Sequence, residues 1–278
     1  MKPSSQGHTM VRRTGTLLTL ALTLWACGGE AADSPDGNQA DTGPRILAAY
    51  HGLEALPGQI SLICPAEAVG IDGMPLVFSV QIEQGSVSPE AFAIEMEDGT
   101  RVTPVCATLA PAFELLEQRT VLLAADFGTD HGAPVAVEVV GALNDLLGNS
   151  LQGLRRADIV PLSAGPSLVL AERFAPDTEG LAGECPEETK QVVQLTWNGG
   201  VHGIGHTPLG EAQALGTTVT LEDGTSVKPI ALADDDPDNH VLACLDSDER
   251  ALSVTIAAGL FEDPGEDPNS ETTIKVAP

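Results

Sequence analysis

The chain has 278 residues, with 40 acidic and 13 basic side chains and a formal net charge of -27. This charge excludes nucleic acid as an expected partner, because a phosphate backbone is bound by neutralising it with lysine and arginine. Hydrophobic residues make up 42% of the chain, and 29 glycines and 20 prolines indicate many turns. The composition therefore predicts a globular protein, and the length predicts one or two domains.

The N-terminus has the features of a bacterial export signal. Arg12 and Arg13 form a positive region, a short apolar run covers residues 17–25, and Ala26-Cys27 follows at once. This arrangement resembles the lipobox of bacterial lipoproteins. The resemblance implies that the segment 1–26 is a lipoprotein signal peptide, and that Cys27 is lipidated with fatty acyl chains such as palmitate.

A second interpretation of this segment is a secretory signal peptide cleaved after Ala26, which would leave Cys27 as a spare thiol. Trp25 stands where the lipoprotein family prefers a small residue. A membrane-spanning helix is not expected, because the run from Thr14 to Ala26 is far shorter than the about 20 residues that a bilayer requires.

A lipid anchor makes the membrane the first expected partner, since two or more acyl chains attach a protein stably. Gly28 follows the cysteine, which by the resemblance favours sorting to the outer membrane over the inner membrane. Residues 27–44 are small and polar and predict a flexible tether. Removal of residues 1–26 takes away Lys2, Arg12 and Arg13 and no acidic residue, so the net charge of the mature chain is -30.

The remainder of the chain has the pattern of a duplication. The segment 97–105 shares six identities in nine positions with the segment 222–230. Three further landmarks come in matching order: Cys64-Pro65 with Cys185-Pro186, residues 76–80 with 192–197, and residues 120–125 with 253–258. These repeats predict two homologous domains, at 45–160 and 161–278.

Each repeat has the pattern of β structure. Phe92, Ile94 and Met96 alternate with more polar residues, and residues 77–83 alternate in the same way, so that each strand has one apolar face. Asp98-Gly99 and Asp223-Gly224 fit tight hairpin turns, in which glycine supplies a positive φ. Short strands with frequent turns predict an all-β sandwich fold.

The strand at 135–140, followed by the Asp-x-x-Gly-Asn turn at 145–149, resembles the bacterial immunoglobulin-like domains that occur in tandem in surface proteins, as does Ser88-Pro89 ahead of Phe92. The resemblance implies two tandem immunoglobulin-like β-sandwich domains.

Four cysteines remain when Cys27 is assigned to lipid, and they allow three disulfide connectivities. Duplication favours Cys64 with Cys106 and Cys185 with Cys244. The second cysteines do not align, because Cys106 directly follows its hairpin and Cys244 comes one strand later. No two of the four lie within a few residues of each other, so a zinc site is a poor alternative.

Enzymatic activity is not expected, because the chain lacks the Gly-x-Ser-x-Gly, phosphate-loop and His-Glu-x-x-His motifs. A carboxylate-based enzyme in the cleft between the domains is the alternative. His202 and His206 flank a glycine-rich stretch that we interpret as a loop, with metal binding as the alternative. Trp197, in a predicted strand, is interpreted as a core residue rather than a ligand platform.

Alternating carboxylates make the segment 234–238 a candidate calcium loop, with Asp234, Asp236 and Asp238 as ligands. An EF-hand would require glycine and glutamate where Asn239 and Leu245 stand. The competing interpretation is a solvated acidic loop, and residues 262–269 are interpreted in the same way.

From these patterns we expect a membrane-anchored lipoprotein with a structural or protein-interaction role at the cell envelope. Its partners are the membrane and an envelope protein, and no cofactor is expected. A calcium-dependent binding module, with Ca²⁺ as the bound ion, is the main alternative.

Overall fold

Strands dominate the computed structural model, which describes residues 43–127, 131–233 and 238–277. In these ranges there are nineteen strands, one six-residue α-helix and four short 3-10 helices. No helix among the described residues has the length and apolar character needed to cross a membrane.

The first half of the described chain contains nine strands and the four 3-10 helices. The strands are β1 (Ile46–Tyr50), β2 (Asp72–Phe78), β3 (Phe92–Met96), β4 (Arg101–Val102), β5 (Cys106–Thr108), β6 (Thr120–Ala125), β7 (Pro134–Val139), β8 (Arg155–Arg156) and β9 (Ile159–Val160). The 3-10 helices are Gly58–Leu62, Ala66–Ala68, Gln84–Ser86 and Pro89–Ala91.

The second half of the described chain contains ten strands and the α-helix. They are β10 (Leu168–Phe174), β11 (Gln191–Trp197), β12 (His202–Gly203), α1 (Glu211–Gly216), β13 (Thr217–Leu221), β14 (Ser226–Val227), β15 (Ala231–Ala233), β16 (His240–Leu245), β17 (Ala251–Ile256), β18 (Phe261–Glu262) and β19 (Thr272–Lys275).

Both halves share one sheet topology, apart from β9, which pairs in parallel with β1 in the first half, and the separate β12–β18 pair in the second. In the first half one sheet has the order β5-β6-β2-β1-β9 and the other β4-β3-β7-β8. In the second half the corresponding orders are β15-β16-β11-β10 and β14-β13-β17-β19. In each half, two mainly antiparallel sheets pack face to face across the core. The predicted all-β sandwich fold is confirmed.

Each half has its own hydrophobic core between its two sheets. In the first, side chains such as Leu76 and Leu123 face Phe92 and Val137 from the opposite sheet. In the second, Leu195 and Val241 lie in the cluster that contains Val219 and Val254. The two halves pack into one compact unit, and the division at residue 160 into two domains stays a prediction.

Local sequence signals predict strand β3 and the hairpin turns after β3 and β13, and the structure has all three. Strand β3 alternates buried and partly buried residues. Gly99 and Gly224 both adopt a φ of 84° in the turns that follow β3 and β13. In each turn the aspartate side chain accepts a hydrogen bond from the backbone N–H two residues on, at 2.8 Å. The turn chemistry therefore fixes both hairpins.

The alternation predicted for residues 77–83 is wrong, because β2 ends at Phe78 and is buried on both faces from Gly73 onward. The outward face of its sheet is covered by a second cluster around Leu56, Ile60 and Leu122. A similar cluster around Val192 and Leu242 covers the equivalent face of the second half. A strand that is covered on both sides is apolar on both faces, so its sequence does not alternate between apolar and polar residues.

Disulfide bonds attach these covering segments to the sheets. Cys64 is bonded to Cys106, and Cys185 to Cys244. Both are the pairings within one half that duplication favours. In the first half the sheet cysteine, Cys106, lies on β5 opposite Ala124. In the second half Ala231 takes the β5-like position and the cysteine lies opposite, on β16. The β5–β6 pair of the first half and the β15–β16 pair of the second are equivalent. The disulfide is attached to the first strand of the pair in one half and to the second strand in the other.

One predicted landmark of the duplication is wrong. Residues 120–125 form β6, which pairs with β2 and β5, whereas residues 253–258 belong mainly to β17, which pairs with β13 and β19. By topology β6 corresponds to β16, at His240–Leu245. Similar apolar runs on two different strands produced the false match.

Candidate functional site

A cluster of two histidines and a glutamate lies at one end of the second half. Strand β12 pairs with β18 so that His202 lies directly opposite Glu262. The backbones of Gly203 and Thr207 exchange two hydrogen bonds, of 2.8 and 3.0 Å. These bonds close a three-residue loop that folds His206 back over His202.

Backbone conformation holds His206 in this position. Gly205 and His206 both have positive φ, at 74° and 55°, a conformation that is uncommon outside glycine. At Gly203 an added Cβ would lie 2.7 Å from the Thr207 hydroxyl, so only glycine fits there. The glycines on which the loop interpretation of this stretch depends are those that permit its tight turn.

The three side chains meet closely. The ring centroids of His202 and His206 are 4.2 Å apart, and Nδ1 of His202 lies 3.4 Å from Oε1 of Glu262. One ligand atom from each residue lies within 4.8 Å of the others. Nε2 of His206 lies 3.4 Å from Oε1 of Glu266, so a second carboxylate borders the cluster.

The carboxylate of Glu262 is held in its charged form. Its Oε1 accepts a hydrogen bond of 2.9 Å from the backbone N–H of His206. This bond, with that from Gly205 and the nearby imidazoles, lowers the pKa of Glu262 against the opposing effect of desolvation. At neutral pH the cluster therefore presents one buried negative charge beside two imidazoles.

The interpretation of residues 262–269 as a solvated loop is wrong for its key members. Glu262, Asp263 and Asn269 are buried. Oδ1 of Asn269 accepts two backbone hydrogen bonds of 2.9 Å, and Asp263 accepts one from the Tyr50 hydroxyl of the first half. Buried polar groups require such partners, and for Asp263 the partner lies 213 residues away in sequence.

A second group of carboxylates lies where the two halves meet. Glu114 and Glu117 of the first half come within 4.8 Å of Asp238 of the second half. Asp238 is buried and accepts a 2.6 Å hydrogen bond from the backbone N–H of His240. The interpretation of this segment as a solvated loop is therefore wrong at Asp238.

An apolar groove of about 560 Å³ runs beside this group. Leu53, Ile60, Leu109 and Phe113 are among the residues that line it. Asp238, at its border, provides a carboxyl group. The groove lies between the first half and the start of β16 in the second.

The other predicted site residues fall into two groups. Cys27, Asp234 and Asp236 lie outside the described residues, so lipidation and the calcium loop stay predictions. Trp197 is fully buried and packs on Phe261 at a centroid distance of 4.7 Å, in agreement with its interpretation as a core residue.

Sequence reasoning weighed His202 and His206 as a pair and missed their third member. Glu262 is separated from His206 by 56 residues and was assigned to a solvated loop. The His-x-x-x-His spacing, with Gly203 and Gly205 between the two histidines, was the available signal. The strand pairing that brings Glu262 to it has no local signature.

No protein-family model and no curated protein matches this chain. Among solved structures, the chain is similar to the N-terminal part of the bacterial S-layer protein SbsC, with 9% identity and a TM-score of 0.29, over 84% of this chain and 44% of that one. It is similar at the same TM-score to the S-layer protein rSbsC(31-844), with 10% identity over 84% of this chain and 40% of that one. The chain thus spans less than half the length of these structures. The function proposed below rests on the chain's own residues.

Proposed function

We propose that this chain is an exported lipoprotein of the bacterial cell envelope, anchored through Cys27, with a structural or protein-interaction role rather than a catalytic one. The two sandwiches are, in this proposal, tandem immunoglobulin-like domains held away from the membrane by the tether at 27–44. The outer membrane is the favoured location, because Gly28 follows the anchor residue.

The export part of the proposal is supported by two independent features. The first is the signal segment ending at Ala26-Cys27. The second is the pair of disulfides, which form and persist in oxidising compartments such as the periplasm and the cell surface. A reduced cytoplasm would leave both covering segments without their covalent attachment.

The polar junction between the halves carries the structural part of the proposal. Nη2 of Arg119 lies 2.7 Å from Oε2 of Glu172, and Nδ2 of Asn239 donates a 3.0 Å hydrogen bond to Thr120. Tyr50 is buried and donates its hydroxyl proton to Asp263. Buried bonds of defined direction fix the angle between two sandwiches, as a rigid spacer or docking module requires.

Close packing around Tyr50 strengthens this junction. An added Cβ would lie 2.1 Å from the Tyr50 ring at Gly52 and 2.5 Å from it at Gly199. Burial, followed by the bond to Asp263, raises the pKa of Tyr50, so its hydroxyl stays protonated and remains a donor. The ring thus lies between glycines of both halves and leaves little room for rotation at the junction.

The test is the intact mass of the protein purified from membranes, before and after reduction. We expect the mass of residues 27–278 plus acyl chains, and a gain of four hydrogens on reduction of the two disulfides. The matched control is Cys27→Ser, which should lose the acyl mass and leave the membrane fraction while keeping both disulfides. A wild-type protein without acyl mass would overturn the anchor.

The same sample distinguishes the calcium alternative. A melting temperature that rises saturably with millimolar Ca²⁺ and falls back with chelator would favour a calcium-dependent binding module. Asp236→Ala should then abolish the shift. An unchanged melting temperature favours the anchored structural module.

A further inference from the structure

We propose that His202, His206 and Glu262 form a binding site for a divalent transition metal ion, with zinc as the expected ion. The proposal concerns a bound metal that clamps two loops, and it is independent of the envelope role proposed above.

The ligand set has the composition that zinc prefers. Two imidazoles and one carboxylate are typical zinc ligands, whereas calcium and magnesium select sites made of oxygen alone. The three ligand atoms already lie within 4.8 Å of one another. Zinc ligands at about 2.0–2.2 Å from the ion lie about 3.3–3.6 Å apart, so the contraction required is at most about 1.5 Å.

One ring nitrogen of His202 also lacks a partner in the described part of the chain. Nε2 of His202 is buried and has no hydrogen-bond partner among the described residues. A buried polar atom without a partner calls for a specific explanation, and an ion at the site is one. Nδ1 of the same ring faces the carbonyl of Gly203 at 3.2 Å and Glu262 at 3.4 Å.

The charge balance also favours a cation. Glu262 is a buried carboxylate, and imidazoles bind a metal in their neutral form. A divalent ion neutralises Glu262 while both rings stay uncharged.

The position of the cluster leaves room for solvent exchange. The His206 side chain is 52% exposed and that of His202 20% exposed. An ion can therefore enter from solvent, and a water molecule or Glu266 is available to complete four-fold coordination. Glu266, which faces Nε2 of His206, also fits the orienting carboxylate that ligating histidines commonly have.

A bound metal would join the 202–207 loop to the segment that carries Glu262 and Asp263. Because Asp263 accepts a hydrogen bond from Tyr50 of the first half, the proposed ligand Glu262 directly precedes a residue of the junction between the halves. We therefore expect zinc to raise the melting temperature of the whole protein as well as to bind.

The experiment uses the mature full chain without a histidine tag, since a tag binds zinc itself. After dialysis against EDTA, zinc is titrated by calorimetry, and Co²⁺ is added separately to record its visible absorption. We expect one zinc per chain, a higher melting temperature, and the visible bands that four-coordinate Co²⁺ gives. Ca²⁺ and Mg²⁺ should not compete.

Three substitutions assign the ligands. His206→Ala should fold normally, because the His206 ring is half exposed. Loss of an outer-shell partner weakens metal binding about 10–100-fold, and loss of the ligand His206 should weaken zinc binding by more than this. Glu262→Gln should do the same, and Glu266→Gln should have a smaller effect. The matched control is His131→Ala, because His131 is exposed and pairs with Asp98 elsewhere.

The outcomes separate cleanly. Absence of saturable zinc binding by the wild-type chain overturns the proposal. Equal zinc affinity of His206→Ala and His131→Ala does so as well, since it would place the bound zinc at another site. Failure of this test leaves the lipid anchor and the disulfides untouched.

Discussion

Arg119 on the first sandwich and Glu172 on the second form an ion pair across the junction, with Nη2 and Oε2 2.7 Å apart. The arginine side chain is 4% exposed and the glutamate 26%. Arg119 lies directly before β6 and Glu172 lies in β10. The pair therefore joins the sheet that contains β6 to the sheet that contains β10. A charge buried to this degree depends on its partner.

We predict that this pair couples the two halves energetically. In a double-mutant cycle with Arg119→Met and Glu172→Gln, the coupling energy should be about 1–3 kcal/mol, measured by urea unfolding. The matched control is Arg101 with Glu138, a more exposed pair within the first half, for which we expect no more than about 0.5–1 kcal/mol. Equal values for both pairs would contradict the junction's role.

Each disulfide should stabilise its own half. Cys64→Ala with Cys106→Ala, or Cys185→Ala with Cys244→Ala, should lower the free energy of unfolding by up to about 4 kcal/mol, because the bonds close loops with separations of 42 and 59 residues. Differential scanning calorimetry measures the loss. Cys27→Ser is the control and should leave the melting temperature unchanged. A pair whose removal costs nothing would show that its covering segment is held by packing alone.

The stability of the protein should fall below pH 6.5 through His240. Burial, followed by the charge of Arg119, lowers the pKa of His240 to about 3, and its Nδ1 lies 3.3 Å from the Thr196 hydroxyl. In the unfolded chain a histidine titrates near about 6.5. Between these values the unfolded state binds one more proton, so the contribution is complete above about pH 6.5 and is lost on acidification, at about 1.4 kcal/mol per pH unit.

Urea unfolding of wild type and His240→Asn between pH 7.5 and 5 measures this effect. In that range most carboxylates stay ionised, and the asparagine amide replaces Nδ1. The variant should be less stable at pH 7.5 and should lose less stability on acidification. Identical slopes for the two proteins would contradict the buried neutral imidazole.

Trp197 should report on the core of the second sandwich. It is fully buried against Phe261, and its Nε1 has no hydrogen-bond partner among the described residues. Trp197→Ala should therefore cost about 3–5 kcal/mol, whereas Trp197→Phe should cost much less, since it also removes an unsatisfied donor.

Tryptophan fluorescence provides the measurement, because a chain expressed from Cys27 onward has Trp197 as its single tryptophan. We expect blue-shifted emission that resists iodide quenching until the protein unfolds. Efficient quenching in the native state would instead favour a surface platform.

The sequence by itself determined the features that depend on neighbouring residues. The Asp-Gly hairpins at Gly99 and Gly224, the alternation of β3 and the pairing of cysteines within each half are all present as predicted. Turn conformation and strand alternation follow from local backbone preferences. A repeated order of such signals was enough to predict an all-β sandwich.

Only the tertiary structure decided which faces are covered and which distant side chains meet. The double burial of β2, the equivalence of β6 with β16, and the burial of Asp238 all depend on packing from other segments. The cluster of His202, His206 and Glu262 depends on the pairing of β12 with β18. Strand pairing is specified by the whole arrangement of apolar faces rather than by either strand alone. A contact between residues 56 positions apart therefore cannot be predicted from a local sequence pattern.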